Sequence, residues 1–166
     1  MNIKNLVEWA RQKSKNKGAW LNDKMLNIFL FYAKGFFYVF ENESLFVENI
    51  KVKNSLPYVE FMEFETSYEY IEELNQETKN ILEFVFDNIF KFDESSILMF
   101  AKSDLQKINT NKDGAINEQD FCTKFRDQYL TDEQNNNFKI TRSQIVDMMS
   151  KNVFTKYNKA FKKLAE

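Results

Sequence analysis

Histidine is absent from this chain, and cysteine occurs once, at Cys122. Without histidine there is no Ser-His-Asp or Cys-His nucleophile, no common zinc site and no ordinary general base near neutrality. A lone cysteine excludes an intramolecular disulfide and a cysteine metal cluster. Glycine is confined to Gly18, Gly35 and Gly114, and proline to Pro57. Those are too few turn formers for an all-β chain, so the scarcity points to helices. There is no glycine-rich phosphate loop. There is no basic excess either: the formal net charge is −2, which argues against a nucleic-acid partner, because phosphate binding draws on clustered lysine and arginine. The first residues, Met1 to Asn5, lack the apolar core of a signal peptide. The chain is therefore expected to be cytoplasmic, without a cofactor and without enzymatic activity.

What the chain has in abundance is apolar residues at helical spacing. Ile3, Leu6, Val7 and Ala10 share one face of a first helix, and the run Lys13 to Gly18 reads as its solvated end. Asn22 is placed to cap a second helix running to Phe40. Met25, Ile28, Phe29, Tyr32, Ala33, Phe36, Phe37 and Phe40 recur there at three- and four-residue steps, and Leu26, Leu30, Phe31, Tyr38 and Val39 fill most of the remaining circumference. A helix apolar nearly all round is buried on several sides. A membrane span is the competing reading, but the run is about sixteen residues where a span needs about twenty, and it contains Asn27 and Lys34. Gly35 is expected to admit a neighbouring helix at close range.

Farther along, Leu45 to Lys53 alternates loosely as a short strand, and Pro57 suits the first turn of a short helix carrying Val59, Phe61, Met62 and Phe64. Glu77 to Phe92 is amphipathic, with Ile81, Leu82, Val85, Phe86, Ile89 and Phe90 inward. Ser95 or Ser96 can cap a helix holding Ile97, Leu98, Phe100 and Ala101, and Asn117 one holding Phe121, Cys122, Phe125 and Tyr129. The polar stretch Thr131 to Asn137 is expected to loop out. Thr141 and Gln144 fit a capping box opening a last helix, with Ile145, Met148, Met149, Val153, Phe154, Tyr157, Phe161 and Leu164 as its stripe.

Charge is unevenly spread. Between Glu60 and Asp104 a dozen carboxylates face only Lys79, Lys91 and Lys102, while both ends of the chain are basic. Such asymmetry marks either a partner-facing surface or solvated helix faces. The acidic middle and the basic, aromatic last helix are the patches to examine first.

One stretch has the pattern of a metal site. Residues 109–120 place Asn109, Asn111, Asp113 and Asn117 at the oxygen-ligand positions of a calcium loop, with Gly114 at the turn, Ile116 in the apolar place and Asp120 last. The loop is degenerate, because Asn109 replaces the usual leading aspartate and Asp120 reaches less far than the usual glutamate. The alternative is a polar turn in which Asn117 caps the following helix, and no metal is bound.

The order of residues Leu21-Asn22-Asp23-Lys24-Met25, then Phe31-Tyr32-Ala33-Lys34-Gly35-Phe36-Phe37, then Leu45-Phe46 resembles the Panacea domain of SocA-type antitoxins, found in bacteria and their phages. Ile81 to Phe86 resembles a later helix of that family, and Ala115 to Phe121 its Pro-Ile-Ser-x-Glu-x-Ile stretch. Lys24, Tyr32, Ala33, Gly35, Phe37 and Pro57 are the positions that match its core motif. The likeness runs from about residue 3 to residue 128 and leaves out the last helix.

The resemblance implies a protein that neutralises a toxin encoded nearby by direct contact, or delivers it to a protease. The expectation is a mainly α, compact multi-helix domain over residues 1–130 with at most a short strand pair. Residues 131–166 then form a loop and a basic C-terminal helix packed on it or extending from it. The alternative function is a calcium-binding helical protein using the single loop 109–120. The residues that would contact a partner are not identified by either reading.

Overall fold

The computed structural model describes residues 1–18, 21–60, 73–131 and 136–166. The described chain is mainly α, with six α-helices and one two-stranded antiparallel sheet.

Its centre is α2, Asp23–Glu41. Asn22 opens this helix, its side-chain oxygen accepting the Met25 N–H at 2.9 Å, which satisfies one of the N-terminal amides that a helix leaves unpaired. The helix stops at Asn42, which turns into the left-handed region at φ 57°. Every residue from Met25 to Phe36 is buried, because neighbours lie on all sides. α1 (Ile3–Asn16) and α3 (Gln76–Ile89) close one flank, where Trp9 stacks on Phe29 at 6.0 Å and Phe86 meets Phe29 edge-on at 5.8 Å. α4 (Glu94–Gln106), α5 (Glu118–Arg126) and the π-helical turn Asp127–Thr131 that continues α5 complete the core with Ile97, Ala101, Phe121, Phe125 and Tyr129. Each fully buried large apolar side chain in such a core contributes about 1.5–3 kcal/mol.

The two polar residues inside α2 fasten the neighbouring segments to it. Asn27 accepts the Val59 N–H at 2.8 Å and donates to the Asp23 carbonyl at 2.8 Å. Lys34, also buried, donates to the Glu48 carbonyl at 3.2 Å, lies 3.5 Å from the Glu118 carboxylate and sits 4.7 Å from the centre of the Phe46 ring. Among the described residues, no helix is long and apolar enough to cross a membrane.

The region around Pro57 departs from the sequence expectation. Leu56–Val59 is a strand, β2, paired antiparallel with β1, Ile50–Lys53. Asn54 and Ser55, at φ 53° and 63°, make the two-residue turn between them, a turn that requires positive φ at both positions. The proline is tolerated because pairs in an antiparallel ladder alternate. Lys53 and Leu56 flank the turn, so the next pair, Val52 and Pro57, exchanges no hydrogen bonds and needs no proline N–H. The Val52 N–H instead points the other way and donates to the Gly114 carbonyl at 3.2 Å. Phe61, Met62 and Phe64, assigned from sequence to the same short helix, lie outside the described residues.

Three smaller differences have similar local causes. α4 is capped by Asp93, whose carboxylate accepts the Ser96 N–H at 2.7 Å, and not by Ser95 or Ser96, which already lie within the helix. Asn136 does not loop out but is buried, donating to the Ile140 carbonyl at 2.7 Å and accepting the Phe138 N–H at 3.1 Å. The last helix, α6 (Arg142–Ala165), opens with the expected Thr141–Gln144 capping box. Yet only Ile145, Met148 and Asn152 are buried along it; Ile145 and Met148 join the same core as Phe138 and Ile140, and most of the apolar stripe does not.

Candidate functional site

Five of the six motif residues serve the scaffold. Tyr32, Ala33, Gly35 and Pro57 are buried and Phe37 is half-buried, while Lys24 is exposed. Gly35 sits where α5 crosses α2. A Cβ built there would lie 2.6 Å from two ring atoms of Phe125, so the missing side chain is what allows the two helices to meet.

Tyr32 leads to a polar cluster that the sequence reading did not assign. Its hydroxyl donates to Asp104 Oδ2 at 2.6 Å, and the Tyr129 hydroxyl donates to the same oxygen at 3.0 Å. Gln128 and Asn137 donate to Asp104 Oδ1 at 2.8 and 3.1 Å. Burial first, then the neighbouring carboxylate and phenol, push the Tyr32 hydroxyl well above its usual pKa, and burial with Asp104 does the same to Tyr129. Both phenols therefore stay protonated donors. A buried carboxylate is tolerated when its lone pairs are filled, and here four donors from α2, the π-helical turn and the segment before α6 fill them. The cluster ties those elements to α4. A sequence signal existed: Asp104 falls on the inward face of α4 with Ile97, Ala101 and Leu105.

The residues of the calcium-like loop are brought together as a turn. The Ala115 carbonyl, seventh in the loop, accepts the Asn111 N–H at 2.7 Å, and the Asn117 N–H donates to the Asn109 carbonyl at 2.8 Å. Asp113 accepts the Ala115 N–H at 3.2 Å. Asn117 caps α5 by accepting the Asp120 N–H at 2.9 Å. Asp120 accepts the Asn109 N–H at 2.7 Å and pairs with Lys124 at 3.1 Å. The Asn109 hydrogen bond, with Lys124 adding to it against burial, holds the Asp120 carboxyl below the usual range. Among the described residues there is no group of three or more His, Cys, Asp or Glu side chains placed to hold a metal ion. With the Ala115 carbonyl, Asp113 and Asp120 engaged within the turn, melting curves recorded in millimolar calcium and in chelator are expected to superimpose. A calcium-dependent rise that Asp113→Ala removes would support the calcium reading.

Cys122 is buried, and burial with the nearby Glu118 charge pushes its thiol up to about 11 against the opposing charges of Lys34 and Arg126. A thiol held that high is a poor nucleophile at neutral pH.

Among the described residues, much of the charge asymmetry of the sequence is answered inside the fold. The acidic face of α3 is met by the basic helices from both ends of the chain. Glu83 pairs with Lys13 at 3.2 Å and Asp87 with Lys17, while Glu77 pairs with Lys159 at 2.6 Å. Lys156 reaches Glu41 at the end of α2 at 2.7 Å, and Asn152 bonds both Asn80 and Glu41. Burial works against the Glu77 charge. The hydrogen bonds from Lys159 and from its own backbone, with the charges of Lys159 and Lys156, outweigh it and hold the carboxyl below the usual range. A lowered carboxylate pKa stabilises the fold above the unfolded value, and that contribution is lost as pH falls through the lowered one. The clasp on α6 is thus intact at neutral pH.

That clasp leaves the apolar stripe of α6 outside. At about 100° per residue, the docked face through Ile145, Met148, Asn152, Lys156 and Lys159 is turned by roughly 130° from a stripe through Met149, Val153, Phe154, Tyr157, Phe161 and Leu164. Phe154 is 71% exposed, Tyr157 61%, Phe161 64% and Leu164 83%. Three turns of helix thus present aromatic and aliphatic side chains to solvent. Its periodicity was legible in the sequence; its exposure was not. Comparison with protein-family models, with curated proteins and with solved structures finds no match for the chain.

Proposed function

We propose that this chain is an antitoxin-like protein-binding module, acting in the cytoplasm by direct contact with a partner protein and not by catalysis. The observation that carries the reading is the exposed stripe of α6. Large apolar side chains held on a clasped helix and left uncovered are the usual mark of a protein interaction site. Among the described residues, the polar groups of the two other candidate clusters serve the scaffold: Asp104 is held by four donors, and Asp113, Asn117 and Asp120 by the turn they build. The Tyr32-Ala33-x-Gly35 core supports placing the scaffold with the Panacea domains, and so supports a toxin encoded nearby as the partner, to be neutralised or handed to a protease. Co-expression with the product of the adjacent reading frame tests this. The two proteins should co-purify, and the chain should relieve any growth arrest the other causes. Separate migration with no relief would refute it.

A further inference from the structure

Going beyond the protein-binding reading, we infer that a second copy of this chain covers the stripe in the free protein, the two α6 helices pairing antiparallel about a two-fold axis. A partner protein using the same stripe then competes with that copy. The stripe has a period as well as a surface. Val146, Ser150, Val153, Tyr157, Ala160 and Leu164 follow one another at alternating steps of four and three residues, the heptad spacing of a helix–helix seam. All six are exposed, and at about 100° per residue they fall within about 80° of one another. Phe154 and Phe161 border them on the side away from the clasp.

A second copy is singled out because the seam is its own complement. With the two-fold axis level with Thr155, Val146 meets Leu164 of the other copy, Ser150 meets Ala160, and Val153 meets Tyr157. Each contact then occurs twice, as a two-fold interface requires. Valine faces a larger residue in two of the layers, and the two small residues share the layer between, so the side chains interdigitate. Phe154 falls beside its own counterpart near the axis. Charge neither drives this pairing nor forbids it. On one border Lys156 is already held by Glu41 and Lys163 falls opposite Met149; on the other, Asp147 falls opposite Phe161. No two unneutralised like charges meet across the seam.

The area is also sufficient. An aromatic side chain carries about 150–250 Å², and about two thirds of it is exposed at Phe154, Tyr157 and Phe161. With Val146, Met149, Val153 and Leu164 the stripe offers on the order of 700 Å². Two copies together offer about 1,400 Å², within the roughly 1,200–2,000 Å² of a specific interface.

Sedimentation velocity of the full chain tests this. The monomer is 19.9 kDa, and the mass should rise toward twice that value between about 1 and 100 µM, since interfaces of this size reach micromolar affinity or tighter. Val153→Glu with Tyr157→Glu sets like charges against one another in the central layers and should weaken association by at least about a hundredfold. Both sites are exposed, so an unchanged helical circular dichroism spectrum shows the fold intact. Lys151→Glu with Lys162→Glu, off the seam, should leave association unchanged. Under mild oxidation, Ser150→Cys and Ala160→Cys chains mixed together should form the mixed disulfide in preference to either self-disulfide. Antiparallel pairing sets position 150 beside position 160 and about 15 Å along the axis from its own counterpart, while Cys122 stays buried. A monomer at every concentration, a dimer that Val153→Glu/Tyr157→Glu leaves intact, or a preference for self-disulfides would overturn the inference. So would a monomer captured through the stripe by phosphatidylglycerol vesicles. The two readings fail separately. If the chain dimerises through the stripe and the adjacent gene product does not bind, this inference stands and the toxin partner falls. If the chain is monomeric and that product binds it, the module stands and the dimer falls.

Discussion

Asp104→Ala is expected to cost about 2–6 kcal/mol of stability, about 1–3 kcal/mol for each of the two buried phenols it leaves without an acceptor. The carboxylate is 3% exposed and accepts from Tyr32, Tyr129, Gln128 and Asn137. The loss comes less from the removed hydrogen bonds than from the donors left behind. Tyr32 and Tyr129 are both buried, and each stranded hydroxyl carries a desolvation penalty of about 1–3 kcal/mol. Gln128 and Asn137 are only partly buried and can turn to water. The penalty should therefore shrink when Asp104→Ala is made together with Tyr32→Phe and Tyr129→Phe, because the triple variant strands no phenol. Urea denaturation of the single, double and triple variants measures this coupling. A loss under about 1 kcal/mol for Asp104→Ala would mean that the cluster is solvated and does not organise the core.

The second large effect belongs to Gly35→Ala. On helix propensity alone this change should stabilise by about 1 kcal/mol. Here the new Cβ would meet three atoms of the Phe125 ring at 2.6 to 2.7 Å. The ring has no room to withdraw, since Phe36 stands against it at 5.0 Å, Phe121 at 5.4 Å and Tyr129 at 4.5 Å, centroid to centroid. Overpacking a closed core costs about 1–3 kcal/mol, so thermal melts should show Gly35→Ala less stable than wild type despite its better propensity. The sign should change in a Phe125→Leu background, where the added methyl fills space that the ring has vacated. If alanine destabilises equally in both backgrounds, the contact with Phe125 is not its cause.

These two sites differ in how far they can be read from sequence. Gly35 interrupts an otherwise continuous apolar helix, and a glycine in such a place already implies close approach. The cap residues Asn22, Asn117 and Thr141 were equally legible, because capping is a local interaction over three residues. Asp104 was not recognised because its donors come from positions 32, 128, 129 and 137, which only tertiary folding brings together. Pro57 misled because the same residue suits a helix start and an unpaired strand position, and what decides between them is the register with Val52. The stripe of α6 has the periodicity of a core face. Periodicity reports which residues lie together and says nothing about what covers them. What covers the other side is tertiary: Ile145 and Met148 enter the core, Asn152 bonds Asn80, and Lys156 and Lys159 pair with Glu41 and Glu77.

β1 is bounded on both edges, and the two edges differ in when they can form. On one side it pairs with β2 around the tight turn at Asn54 and Ser55; on the other it meets Ala115, after α3 and α4 have intervened. Closing a short loop takes little chain entropy, whereas closing a long one takes more and slows the step. The hairpin can therefore nucleate early, but its second edge is sealed only after the helices between have brought the chain back. The loop from Asn109 to Asn117, whatever else its residues suggest, thus closes the longer of the two chain segments that hold β1 in place.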